Sequence, residues 1–189
     1  GRLERVDNTG NALHRGQTAT IGFWQNKNGQ ALIKSLNGGP NSTALGNWLA
    51  SSFANLYGAN AGANHLAGKT NSEIAAFYVT LFKQKGQKLN AQVLATAFAV
   101  YVTDSDLAGN NASQYGFEVN STGTGAATFS VGSSGAAFGV ANGTRLTIFQ
   151  ILTATNAQTL NGNLYNGSPN LRNLANTVYD GINQGGDIL

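Results

Sequence analysis

The sequence predicts a mainly α-helical domain, a bundle of about five to six helices carrying a small β-hairpin insertion around residues 115–140. Three observations carry this. Apolar residues recur at helical spacing in several separate windows, the window from Asn90 to Val102 is apolar almost all the way round, and after Asp104 the pattern changes to short β-type runs between Gly-rich turns. With 41% hydrophobic residues, nine Phe, six Tyr and two Trp, the 189 residues can fill one core.

Residues 1–19 read as a lead-in segment or linker, with a polar turn at 6–11, and residues 20–189 as one domain. Phe23 and Trp24, then Ala31, Leu32, Ser35 and Leu36, predict two short helical pieces broken around Asn28-Gly29. Leu45, Trp48, Leu49, Phe53 and Leu56 share one face of a helix closed by Gly58. The stretch 59–69 is loop. Thr70-Asn71-Ser72-Glu73 is a capping-box signature, in which each side chain satisfies the other's backbone donor, and Ile74, Phe77, Leu81 and Phe82 follow as an apolar stripe ended by Gly86. Asn90 is read as the cap of a central helix built on Val93, Leu94, Ala97, Phe98 and Tyr101; an all-round apolar helix belongs in the middle of its domain. Tyr115–Val119 and Thr128–Val131 predict the hairpin, turning at Asn120–Gly125, and Ala136–Val140 a third short strand. Leu146–Ala157 fits strand or helix, and its length favours helix. In the last helix Ser168 caps, Pro169 takes the first turn, and Leu171, Leu174, Ala175, Val178 and Ile182 line one side. Residues 37–47 echo 166–176, with the two prolines in register; this fits either a duplicated unit or shared helix-start grammar.

Composition bounds the function. The chain has no Cys and no Met, only 10% charged residues, and Asn and Gly throughout. Amides dissolve a surface without charge, and missing sulfur removes the side chains that oxidants attack first, so a secreted or surface-displayed domain is expected. Disulfides, thiolate metal sites and cysteine nucleophiles are excluded. A formal charge of +3 spread over eleven Lys and Arg and eight acids forms no basic stripe, which argues against nucleic acid. Lys83, Lys85 and Lys88 cluster where a helix should end and complement its dipole. No apolar run reaches the roughly 20 residues of a membrane span, so no membrane insertion is expected. The start Gly1-Arg2-Leu3 resembles neither an initiator nor a signal peptide and reads as a processed chain or a piece of a longer one.

Two groups of residues are candidate sites. Trp24 and Asn26, in the segment 20–29, and Trp48 form a candidate glycan platform, because an indole face stacks on a pyranose while amides read hydroxyls; alternatively Phe23 and Trp24 anchor the first helix in the core. Asp104, Asp106 and Asn110 offer oxygen ligands for calcium, the one cofactor considered. Their spacing departs from the EF-hand loop, and a solvated turn is the competing reading. Asp7, Asn8 and Asn11 form a weaker set of the same kind. His14 and His65 fall in loops without an HExxH-type partner or a nearby acid, which leaves zinc sites and hydrolytic triads without support. A glycan hydrolase would need two carboxylates about 5 to 9 Å apart, and its mid-chain choices are Glu73, Asp104, Asp106 and Glu118. The glycines at 123, 125, 132 and 135 lack the Lys of a phosphate loop. Five glycosylation sequons, at Asn41, Asn111, Asn120, Asn142 and Asn166, are about what this composition yields by chance.

The opening Thr20-Ile21-Gly22-Phe23-Trp24-Gln25-Asn26, with Leu45–Leu49, Leu66–Asn71, Ala95–Val102 and Gly181–Ile188, resembles modules of unknown activity found in large bacterial exported and cell-surface proteins. The resemblance implies secretion, often after repeat-type surface domains, and no residue-level activity. The expectation is therefore a non-catalytic extracellular module of a bacterial surface or secreted protein. It builds or decorates a surface, alone or as a filament or layer, through self-association or contact with neighbouring domains. A carbohydrate-binding module, which predicts an exposed Trp, and a glycan hydrolase are the alternatives.

Overall fold

The computed structural model describes residues 11–189; the polar turn expected at 6–11 and the weaker acidic set at Asp7 and Asn8 lie largely or wholly outside the described residues. The domain is mainly helical with one two-stranded antiparallel sheet. Nine α-helices occur among the described residues, more than the five or six expected, because several predicted helices divide: α1 Ile21–Gln25, α2 Lys27–Ser35, α3 Ala44–Ser52, α4 Ala54–Tyr57, α5 Asn71–Lys83, α6 Leu89–Val102, α7 Ser105–Ala108, α8 Ile148–Ala157 and α9 Pro169–Gly185.

Each division has an identifiable cause. The break between α1 and α2 falls at Asn26, whose backbone is extended (φ −77°, ψ 172°), and Gly29 lies inside α2. A Cβ on Gly29 would stand 2.2 Å from the Phe23 carbonyl oxygen, so this glycine permits the two short helices to touch. The helix expected over 45–56 breaks at Phe53 (φ −133°, ψ 72°), where Asn156 Oδ1 accepts the freed amides of Asn55 and Leu56 at 2.9 and 3.0 Å. A distant side chain thus takes over two amides that a continuous helix would have satisfied.

Helix α5 begins with the predicted capping box between Thr70 and Glu73. Helix α6 is buried at every position but Asn90 and is packed by α1, α5, α7, α8 and α9. It begins at Leu89, two residues before the start that an Asn90 cap implies, so Asn90 is not its cap. Lys88 instead donates its ammonium to the carbonyls of Phe82 and Gln84, closing the C-terminus of α5 as the dipole argument requires.

The expected small antiparallel pair is present, but one of its strands is not the one expected. Strand β1, Thr128–Ser130, pairs with β2, Arg145–Thr147, which lies beyond the 115–140 window. Residues 111–115 form a 3-10 turn rather than leading into a strand, and the run expected as a third strand belongs to a 3-10 segment, Gly132–Phe138. Short apolar runs fit a buried turn as well as a strand, and only a partner decides between them. Both readings of 146–157 hold in succession: Thr147 ends β2 and caps α8 through a capping box with Gln150.

Candidate functional site

The aromatic residues sort into separate assemblies, and this decides the glycan platform. Trp24 is fully buried, wedged between Phe23, Phe98 and Phe117 at ring separations of 5.0 to 5.6 Å. It therefore offers no face to a sugar, which corrects its assignment as a platform; the apolar groups flanking it in α1 drive it into the core. Its indole N–H has no hydrogen-bond partner among the described residues. Asn26 is exposed and accepts a hydrogen bond from Gln25 Nε2 at 2.6 Å. Trp48 is half-buried in a different assembly, with Tyr101 at 5.1 Å and Phe53 at 5.7 Å, and Phe53 in turn meets the exposed Phe149 at 5.5 Å. No ring contact joins the two tryptophan assemblies among the described residues.

Asp104 caps the short helix α7, Asp106 lies in its first turn and Asn110 follows its end. Asp104 Oδ1 accepts the Asp106 amide at 2.9 Å, and the Asn110 carbonyl accepts from the Ser113 amide and hydroxyl. The carboxylate is committed to capping. Among the described residues, no group of three or more His, Asp or Glu gathers as a metal site would require.

His14 does have a nearby acid, contrary to expectation. Its Nε2 meets Glu118 Oε2 at 2.6 Å, with both side chains about half exposed. The residues are 104 positions apart, so no local signal announces the pair. Gln17, Asn120 and Thr122 complete a shallow depression of about 140 Å³ around it.

A larger concavity lies on the neighbouring surface. An open groove of about 480 Å³ is lined by Arg15, Asn28, Gln114, Tyr115 and Asp187, with Phe23 at its base. Four stretches of chain meet here. Tyr115 is held edge-on to Phe23 at 6.3 Å, and Arg15 is paired with Asp187 at 3.0 Å. An aromatic ring, the amide of Asn28, that of Gln114, which donates to the Asn111 carbonyl at 3.2 Å, and an ion pair in one groove are hydrogen-bonding and stacking groups suited to a polyhydroxylated ligand. Composition and spacing could not have found them, since residues 15 and 187 sit near opposite ends of the sequence.

A buried polar network borders another concavity of about 270 Å³, lined by Thr20, Gln92, Asp180 and Asn183 among others. Asn183 donates to the Gln92 carbonyl and Gln92 Oε1 at 3.0 and 2.7 Å and accepts from Thr96 Oγ1 at 2.9 Å, while Gln92 Nε2 reaches Asp180 at 3.0 Å. Thr18, itself fully buried, donates to the Ile182 carbonyl at 2.6 Å, satisfying an orphan acceptor in the last turn of α9. Thr124 donates to the Gln17 carbonyl and accepts from Thr103 at the end of α6. These residues tie the two ends of the described chain to the central helix.

The chain matches no protein-family model, and no curated protein or solved structure is significantly similar to it.

Proposed function

We propose that this chain is a non-catalytic extracellular module of a bacterial surface or secreted protein, acting through structure and association. The observation that carries this reading is how the polar side chains are used. Asn71 holds the carbonyls of Leu36 and Gly39, Asn111 holds Ser35, Asn156 caps α4, and Thr18, Thr103 and Thr124 bind carbonyls or one another in the interior. Amides and hydroxyls thus brace the fold where a secreted domain of this size often uses disulfides. The exterior is nearly free of charge clusters, so a neighbouring molecule can cover it with little ion desolvation. Exposed Phe149 and Leu160 are apolar points for such contact. β1 is flanked on its outer side by the bridge to Ala12, which among the described residues leaves the outer edge of β2 for strand addition.

Size-exclusion light scattering with negative-stain microscopy tests self-association. Ordered polymers or a defined oligomer, weakened by Phe149→Lys or Leu160→Lys, are expected; a persistent monomer at high concentration would refute association between copies.

A second reading, glycan binding, is favoured by the groove around Tyr115. A glycan array should then give hits that Tyr115→Ala and Asn28→Ala abolish and Trp24 variants that still fold do not. Trp48 remains the half-exposed tryptophan for the same chemistry, and Trp48→Ala distinguishes that surface from the groove.

A further inference from the structure

We propose that residues 11–20 and 186–188 form a shear clamp that lets the domain carry tension applied along its chain. The two segments lie side by side and run in the same direction: Ala19 is bridged to Ile188 in parallel, the Gly16 amide donates to the Gly186 carbonyl at 2.8 Å, and the Thr20 amide to the Ile188 carbonyl at 2.9 Å. Tension pulls the first segment back toward its N-terminal side and the second forward toward its C-terminal side. For parallel neighbours these forces oppose each other along the shared axis, so the bonds between them are loaded together in shear. Antiparallel neighbours pulled from adjacent ends would instead open one bond at a time.

The contact is close and reinforced. A Cβ on Gly186 would stand 2.0 Å from the Thr18 carbonyl oxygen and 2.3 Å from its nitrogen, so only glycine allows the backbones this approach. Thr18 reaches from the first segment to the Ile182 carbonyl, and Arg15 to Asp187. The first segment is gripped on its other sides as well. Leu13 donates to the Thr128 carbonyl, Thr128 to Asn11, Glu118 to Gly16, and the Thr124 hydroxyl to Gln17. The Ala12 bridge to Thr128 is also parallel, so β1 resists the same displacement. Through Asn183, Gln92 and Thr96 the load passes to α6, the most deeply buried element. The clamp requires no second molecule, and a strictly monomeric domain would carry it equally well.

Forced unfolding is governed by the unfolding rate rather than by equilibrium stability, so single-molecule force spectroscopy reads the clamp directly. The absence of native cysteine allows attachment points to be chosen at will. Three proteins are pulled: the unaltered domain, Gly186→Ala, and Thr20→Pro, which deletes one clamp donor at a residue whose φ of −66° already suits proline. Each is pulled through its two ends, and through cysteines placed at the exposed Lys85 and Leu160, which bypass the clamp. The unaltered domain should show a high-force peak in the end-to-end geometry. Either variant should lose that peak while its Lys85-to-Leu160 unfolding force stays close to that of the unaltered domain. Equal losses in both geometries would mean general destabilisation, and no loss in either would mean the segments bear no load; each result overturns the proposal. Should Gly186→Ala fail to fold, Thr20→Pro decides alone.

Discussion

Replacing Asn183 with alanine should be among the most damaging changes to a polar residue in this domain. Asn183 is fully buried and makes three hydrogen bonds to α6, at 3.0, 2.7 and 2.9 Å. Thr96 keeps its bond to the Gln92 carbonyl at 3.0 Å, but Gln92 Oε1 is left in the interior without its donor. A stranded buried acceptor costs about 1–3 kcal/mol, and the other two bonds contribute roughly 1 kcal/mol each. The total is about 3–5 kcal/mol, which for a domain of this length lowers Tm by roughly 6–20 °C. Urea titration followed by circular dichroism measures it, with an unchanged m-value confirming that the folded and unfolded states are otherwise alike. The exposed Asn170, in the first turn of α9, is the control, and its alanine variant should stay within about 0.5 kcal/mol. In a double-mutant cycle with Gln92→Ala, the pair should cost at least about 1 kcal/mol less than the sum of the singles. A loss below about 1 kcal/mol for Asn183→Ala, or strict additivity with Gln92→Ala, would refute the view that this network braces α9 against α6.

Gly29→Ala and Gly22→Ala should move stability in opposite directions although both sit in helices. Alanine gains up to about 1 kcal/mol in helix propensity; at Gly22 the nearest neighbouring atom is 3.9 Å away and the gain survives, whereas at Gly29 collision with the Phe23 carbonyl at 2.2 Å should outweigh it by about 1–3 kcal/mol. Thermal melts of the two variants check this. At high pH the domain should unfold as its tyrosines ionise: burial pushes the Tyr165 hydroxyl from its ordinary 10.0 up to about 12, and raises Tyr57 and Tyr179 as well. Folding therefore favours the protonated form, so the stability is intact below pH 10 and falls between pH 10 and 12, by about 3 kcal/mol through Tyr165 alone. Tyrosinate absorbance should rise cooperatively with loss of circular dichroism, and a gradual rise in a folded protein would contradict the burial. Iodide should quench Trp48 fluorescence in a Trp24→Phe variant but barely touch Trp24 in a Trp48→Phe variant; equal quenching would refute the core placement of Trp24.

Whatever depends on neighbours three or four residues away was legible from the residues alone. The Thr70 and Ser168 caps, the stripe through α5, the all-apolar character of α6 and the apolar side of α9 are set by local spacing and short-range hydrogen bonds, and they stand in the structure as read. Tertiary structure decided what depends on distant partners. Helix α4 separates from α3 with Asn156 capping it, β1 finds β2 rather than residues 115–119, and Trp24 enters the core because Phe98 and Phe117 come to meet it. The groove, the His14–Glu118 pair and the parallel clamp belong to this second class. Each joins residues about a hundred or more positions apart, and such contacts leave no local periodicity because their stabilisation appears only after the whole chain has closed around α6.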